Sequence, residues 1–267
     1  MMIASYNNAI LTGDKDSLQK LRTQIYPRNK KIYRYRTFDS HWYSNIIKGK
    51  VYMGSPAKFN DPFDGNIYGY ANSLYLGLLN SKGALPSDDF QVMKADGERR
   101  DFTDVLKSHE DGFKDCFRVA CFSEKLNLMT MWAHYASNHS GYVIEYDLTK
   151  LAVEQRKMLY KMAYFTREDL ENSDFSTTRL PIFNLIQKDA EWSYEEEWRM
   201  IKTRDGKDYE DLSNCVSTVY LGMNFQKHYY QDELVTIQEH FRQTGVKLRE
   251  MYISTDGYSL KSRPISL

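Results

Sequence analysis

The chain has 267 residues, 36 basic against 36 acidic, and an aromatic share of 14% that is mostly its 21 tyrosines. This length buries a real core without disulfides, and the balanced charge supplies no field that would by itself favour a nucleic-acid backbone or an anionic membrane. Three cysteines without CxxC spacing, Cys116, Cys121 and Cys215, read as buried thiols in a reducing compartment, and the lack of a long apolar run or a signal-like start points to the cytoplasm.

The first 28 residues read as a helical lead-in: over residues 14–26, Leu18, Leu21 and Ile25 stand at helical spacing, and Pro27 stops the pattern. KIYRYR then alternates as a strand over residues 31–36, with Ile32, Arg34 and Arg36 on one side and Tyr33 and Tyr35 on the other. Asp39 or Ser40 caps a helical stripe of Trp42, Tyr43, Ile46 and Ile47 that Gly49 ends, and a short strand at residues 51–53 follows. SPAKFNDPFDG is an ordered loop, because Asn60, Asp61 and Asp64 fold back on local backbone. Residues 70–116 read as a peripheral insertion or lid.

A strand is expected at residues 118–122, a helix at 128–135, a turn at 138–141 and a strand in YVIEYD. Helices are expected at 150–164 and 181–188, and a strand at 192–202 ending near Asp205-Gly206. The last third reads as strand 216–221, helix 226–241 and strand 247–253. No linker or internal repeat divides the chain, so residues 1–267 are expected to form one α+β domain with a mixed, mainly antiparallel sheet flanked by helices.

Three polar-aromatic blocks could carry chemistry. In WSYEEEWRM, strand alternation puts Trp192, Tyr194 and Trp198 in one row and Ser193, Glu195, Glu197 and Arg199 in the other, so one ligand could meet both Glu195 and Glu197. The competing reading is a solvated face on which Arg199 neutralises Glu197. In MTMWAHYASNHSG, His134 could serve as a general base, a ligand donor or a backbone-anchored core histidine, and its spacing from His139 is not that of a zinc-hydrolase helix. Arg34 and Arg36 could grip a phosphate or pyrophosphate with their planar donor forks, or pair with the carboxylates of the other blocks. No GxGxxG, P-loop or GxSxG motif is present.

The ordered blocks YRYR, SPAKFNDPFD, CFSE, MWAHYASNHSG and WSYEEEWR, spread over residues 31–202, resemble the bacterial family called domain of unknown function 2971. More distantly, an arginine on the first strand, a tyrosine-bearing central block and a late E-x-E resemble the ADP-ribosyltransferase superfamily. That second resemblance implies a split sheet and NAD as substrate, with no metal. It places Arg34 or Arg36 at the first position, Tyr135 or His134 at the second, and Glu197, preceded by Glu195, at the third; a Ser-Thr-Ser triplet is lacking. On this reading an arginine holds the pyrophosphate, Trp132 or Tyr135 stacks on nicotinamide, Asn60 lies at the cofactor, and Glu197 stabilises the oxocarbenium-like ribose while Glu195 orients or deprotonates the acceptor. The expected partner is a small nucleotide, the acceptor being a protein or a nucleic acid, and the setting by analogy a toxin or phage-defence effector. The alternatives are a metal-dependent nuclease or phosphodiesterase built on the same carboxylates with Asp61 and Asp64, and a non-catalytic binding module.

Overall fold

The structure is a computed structural model, and it describes residues 2–27, 29–61, 63–65, 112, 114–166, 168–169 and 181–265. The insertion expected at residues 70–116 therefore lies almost wholly outside the described residues.

The chain opens with α1, Met2–Leu11, and α2, Lys15–Arg22, which pack on each other through Tyr6, Ile10 and Leu18. Asp14 caps α2 by accepting from the Ser17 amide. The helix ends at Arg22, short of the expected residue 26, and α1 falls within the helical lead-in expected over the first 28 residues. Strand β1, Lys31–Arg36, has the expected bounds. Trp42, Tyr43, Ile46 and Ile47 do wind into a helical turn, of π type over Tyr43–Ile47, and Gly49 takes the left-handed conformation at φ 57°. Its hydrogen atom is required there: a β-carbon would stand 2.3 Å from the Ser213 backbone.

Strand β2, Lys50–Tyr52, leads into a 3-10 turn at Pro56–Lys58. After β3, Phe117–Ser123, come α3, Met129–Tyr135, and β4, Tyr142–Asp147, as read. The helix expected over 150–164 is not formed. Only α4, Val153–Lys157, is helical, and the chain then extends as β5, Leu159–Lys161, and β6, Ala163–Phe165. Here sheet pairing overrides local propensity: β5 covers the free edge of a later strand, and Leu159, with Met162 and Ala163 just after it, is buried. Likewise α5 spans only Pro181–Leu185, and β7, Gln187–Asp189, runs parallel to β6.

A 3-10 turn at Ala190–Glu195 precedes β8, Glu197–Thr203, which replaces the single long strand expected from residue 192. The rest comprises β9, Tyr209–Asp211, β10, Val216–Leu221, α6, Gln231–Thr244, β11, Lys247–Ile253, and β12, Leu260–Pro264, of which β9 and β12 are not expected from the sequence. Gly245, left-handed at φ 74°, ends α6.

The main sheet runs β12-β11-β10-β4-β1-β3-β8-β5, antiparallel except between β10 and β11. With its helices it makes the fold α+β, as expected. Register fixes its faces: Arg34 and Arg36 lie beside Ile144 and Tyr142, whereas Tyr33, Ser123, Glu197, Cys121 and Arg199 share the opposite face. Among the described residues no helix is long and apolar enough to cross a membrane. Of the three cysteines only Cys215 is buried; Cys116 is exposed and Cys121 half-buried, which corrects the expectation of three buried thiols.

Candidate functional site

The site begins where the sheet parts. Strands β1 and β3 are in register at Tyr33 and Ser123, and no further pair joins them among the described residues. Beyond that point β1 turns away, and Gly54 takes its place beside β3 through two backbone bonds with Val119, at 2.9 and 2.8 Å. The gap is a cleft of about 490 Å³, within the usual range for small-molecule sites. Arg34, Arg36, Asn60, His134, Tyr135, Glu195 and Glu197 all line it, together with Lys188 and Arg199.

On the β1 side, Arg34 Nη2 donates to the Tyr52 carbonyl at 2.6 Å and its guanidinium lies over the Phe122 ring. Arg34 Nη1 and Arg36 Nε are closed to solvent and have no hydrogen-bond partner among the described residues. Neither arginine pairs with the site carboxylates. Burial, with the Arg36 charge next, draws the Arg34 pKa down to about 10. Two confined cations with donors left over are a place for an anion.

The opposite wall is a buried ion cluster. Arg199 donates to both oxygens of Asp64 at 2.7 and 2.5 Å, to Glu197 at 2.7 Å and to the Leu185 carbonyl at 2.9 Å. Lys188 reaches Glu195 at 2.8 Å, Glu197 at 3.4 Å and Asp64 at 3.7 Å, with its ammonium 4.5 Å from the Trp192 ring centre. Three carboxylates thus face two cations. Burial opposes charge on Glu197, but Arg199 and Lys188 outweigh it and hold its pKa down at about 2. Glu195 moves the other way: burial first, then the neighbouring Glu197, raise it.

The backbone explains how two glutamates separated by one residue meet the same lysine. Glu195 ends the 3-10 turn, Glu196 is left-handed at φ 42°, and Glu197 opens β8. A non-glycine residue in that region stores strain, on the order of 1–3 kcal/mol. Ser123 donates to the Glu195 carbonyl, the Glu124 amide to the Glu196 carbonyl, and the Glu197 amide to Tyr164 Oη at 2.8 Å, pinning the kink. The two side chains converge through this kink, not through alternation along a flat strand. The solvated-face reading is corrected too: Arg199 does neutralise Glu197, but both are buried.

From α3, Tyr135 donates to Glu195 Oε1 at 2.7 Å, and Asn60 Nδ2 approaches Tyr135 Oη at 3.5 Å. His134 is exposed at the cleft and meets Tyr135 edge-on, so it is not a core histidine. Trp132 does not line the cleft. It is fully buried, donates to the Leu126 carbonyl at 2.7 Å, and packs against Tyr35 and His139, which corrects its assignment as a stacking platform. Asp61 turns into its own loop, accepting from the Phe63 amide at 2.9 Å, and Asp64 is taken by Arg199; the four-carboxylate coordination sphere of the nuclease alternative is not assembled.

Asp64 does stand near Glu195 and Glu197, as the nuclease alternative expects, but as the partner of Arg199 and Lys188. Lys188, expected on a helix, lies on β7 and is the member of the cluster that the sequence reading misses, although Glu195 and Glu197 once buried need more charge than Arg199 supplies.

Fold and site define an α+β protein whose split sheet encloses an aromatic-lined cleft, with arginine donors that have no partner among the described residues on one wall and a buried carboxylate-cation cluster on the other. Residues 131–200 match the family model described as protein of unknown function (DUF2971), a stretch that holds WAHYASNHSG and WSYEEEWR. Comparison with curated proteins and with solved structures gives no match.

Proposed function

We propose that the cleft binds a nucleotide of the NAD type and cleaves its nicotinamide-ribose bond, by ADP-ribosyl transfer or by hydrolysis. One observation carries this reading: the unpartnered donors of Arg34 and Arg36 line the same cleft as Glu195 and Glu197. The arginines would hold the pyrophosphate, and the ionised Glu197 would place negative potential near the ribose as positive charge develops on it. Tyr33, Tyr52 and Phe59, which line the cleft and are only partly buried, offer ring faces for the planar parts of the ligand. In a bacterial cytoplasm such an activity would suit a toxin or a phage-defence effector.

The test is nicotinamide release from NAD by the purified chain, with NAD affinity measured by calorimetry. Arg34→Met and Arg36→Met should each weaken binding about tenfold or more, as expected for loss of a charge-assisted contact. A chain that neither binds nor consumes NAD ends this reading. A second reading, a nucleotide-binding module without turnover, is favoured by the engagement of both Glu197 oxygens with Arg199 and Lys188. It expects NAD binding without nicotinamide release, and unchanged affinity in Glu197→Gln.

A further inference from the structure

We infer that the Tyr135 hydroxyl is the group that meets the acceptor, and that it relays the acceptor's proton to Glu195. This rests on the NAD-cleaving reading and adds to it a proton path and a catalytic residue. Tyr135 Oη stands 2.7 Å from Glu195 Oε1, while Lys188 occupies the other oxygen, Oε2, at 2.8 Å. A proton arriving at Glu195 therefore goes to Oε1, the oxygen that the tyrosine faces. Glu195 itself is only 3% exposed, whereas Tyr135 stands half-buried in the cleft wall, so a ligand in the cleft reaches the carboxylate through the phenol.

Charge favours the transfer. With Glu195 ionised, Asp64, Glu195 and Glu197 carry one more charge than Lys188 and Arg199 neutralise; a proton on Glu195 balances the cluster. The groups facing Glu195 are Lys188 from β7, Glu197 from β8, Tyr135 from α3, Tyr164 from β6 and Tyr194 from its own turn. Of these only Lys188 is cationic, and it already serves two other carboxylates. Burial and the Glu195 charge hold the Tyr135 phenol far above its ordinary value, so tyrosinate is not the base and the two proton movements must be coupled.

The acceptor oxygen forms its bond to ribose C1′ while the bond from C1′ to the nicotinamide nitrogen breaks, that nitrogen keeping the electron pair. The acceptor proton moves to Tyr135 Oη as the tyrosine's own proton moves to Glu195 Oε1. Water is the simplest acceptor, and Asn60, at 3.5 Å from Tyr135 Oη, stands where it could orient one.

Tyr135→Phe, Glu195→Gln and the double variant test the relay in the full chain, with NAD as substrate, water as acceptor and nicotinamide as the product followed. Removing the relay should lower kcat about a hundredfold, the lower end of general-base contributions, with KM within twofold. The double variant should be no slower than the worse single one, and the rise of kcat with pH through the Glu195 titration should vanish in Glu195→Gln. Wild-type kcat in Tyr135→Phe overturns the relay and leaves NAD cleavage standing. If the wild type releases no nicotinamide, the NAD reading falls by itself and carboxyl NMR of ¹³C-glutamate-labelled protein decides the proton pair. Glu195 should titrate above the ordinary glutamate value and higher still in Tyr135→Phe, because the hydroxyl's donation favours the ionised form. An identical titration in both proteins overturns the coupling.

Discussion

Replacing Arg199 with methionine isolates what the buried cluster contributes. Arg199 is 1% exposed and is the bidentate partner of Asp64, the nearer partner of Glu197 and the donor to the Leu185 carbonyl. Methionine retains most of the packing over Phe59 but none of the donors. Asp64 is then left with Lys188 at 3.7 Å, and Glu197 with the same lysine at 3.4 Å, so one ammonium faces three carboxylates. Breaking a buried pair from one side costs roughly 3–5 kcal/mol, because the stranded charge keeps its desolvation penalty. Against a total stability of about 5–15 kcal/mol this is a large share, and with an m-value near 3 kcal/mol/M it lowers the urea midpoint by about 1–1.7 M. Urea titrations followed by far-ultraviolet circular dichroism at pH 7 measure it. Adding Asp64→Asn and Glu197→Gln to Arg199→Met should return much of the loss, since no unpaired charge remains to be buried. A loss below about 1 kcal/mol, the range of an exposed salt bridge, would refute the reasoning and mean that water reaches the cluster.

Two further outcomes follow from the same geometry. Glu197 is held at about 2 when folded against an ordinary 4.5, so its contribution is present above 4.5 and is lost as pH falls towards 2. The shift amounts to about 3 kcal/mol; Glu195, raised on folding, works the other way and removes stability as pH climbs above 4.5. Urea midpoints from pH 2 to pH 8 should therefore rise steeply and then decline gently, and a flat profile below pH 4.5 would contradict the pairing of Glu197. Trp132→Phe deletes the donor to the Leu126 carbonyl inside the core and should cost roughly 1–3 kcal/mol, with NAD affinity within twofold of the wild type. A tenfold loss of affinity at unchanged stability would restore the tryptophan to the cleft.

Strands of six or seven residues were legible: β1, β4, β10 and β11 fall within their expected bounds because each holds β-branched and aromatic residues in a run long enough to read as extended. The segment from Val153 to Asp189 was not. Leu159 to Phe165 and Gln187 to Asp189 are extended because they find partners, β8 for one and each other for the rest, and three-residue strands leave too short a pattern to beat a helical propensity. Lys188 was lost to view for the same reason, since a residue placed on a helix cannot be aligned with a strand it meets only in the fold.

The site was legible as a set of residues and illegible as a circuit. Arg34, Asn60, Tyr135 and Glu197 come together across more than 160 residues of chain, which motif order alone anticipated; the cause is the parting of β1 from β3, a register event that no local window contains. Alternation put Glu195 and Glu197 on one side, and they do converge, yet through the left-handed Glu196 and at a depth where alternation says nothing. That depth redistributes the chemistry. A carboxylate 4% exposed and held by two cations acts through its field, while the contact with a ligand passes to what stands in front of it. Glu197 is the sharpest expectation as the group that touches substrate; in the folded cleft both its oxygens are held by Arg199 and Lys188, whereas Arg34 and Arg36 each keep a donor without a partner among the described residues.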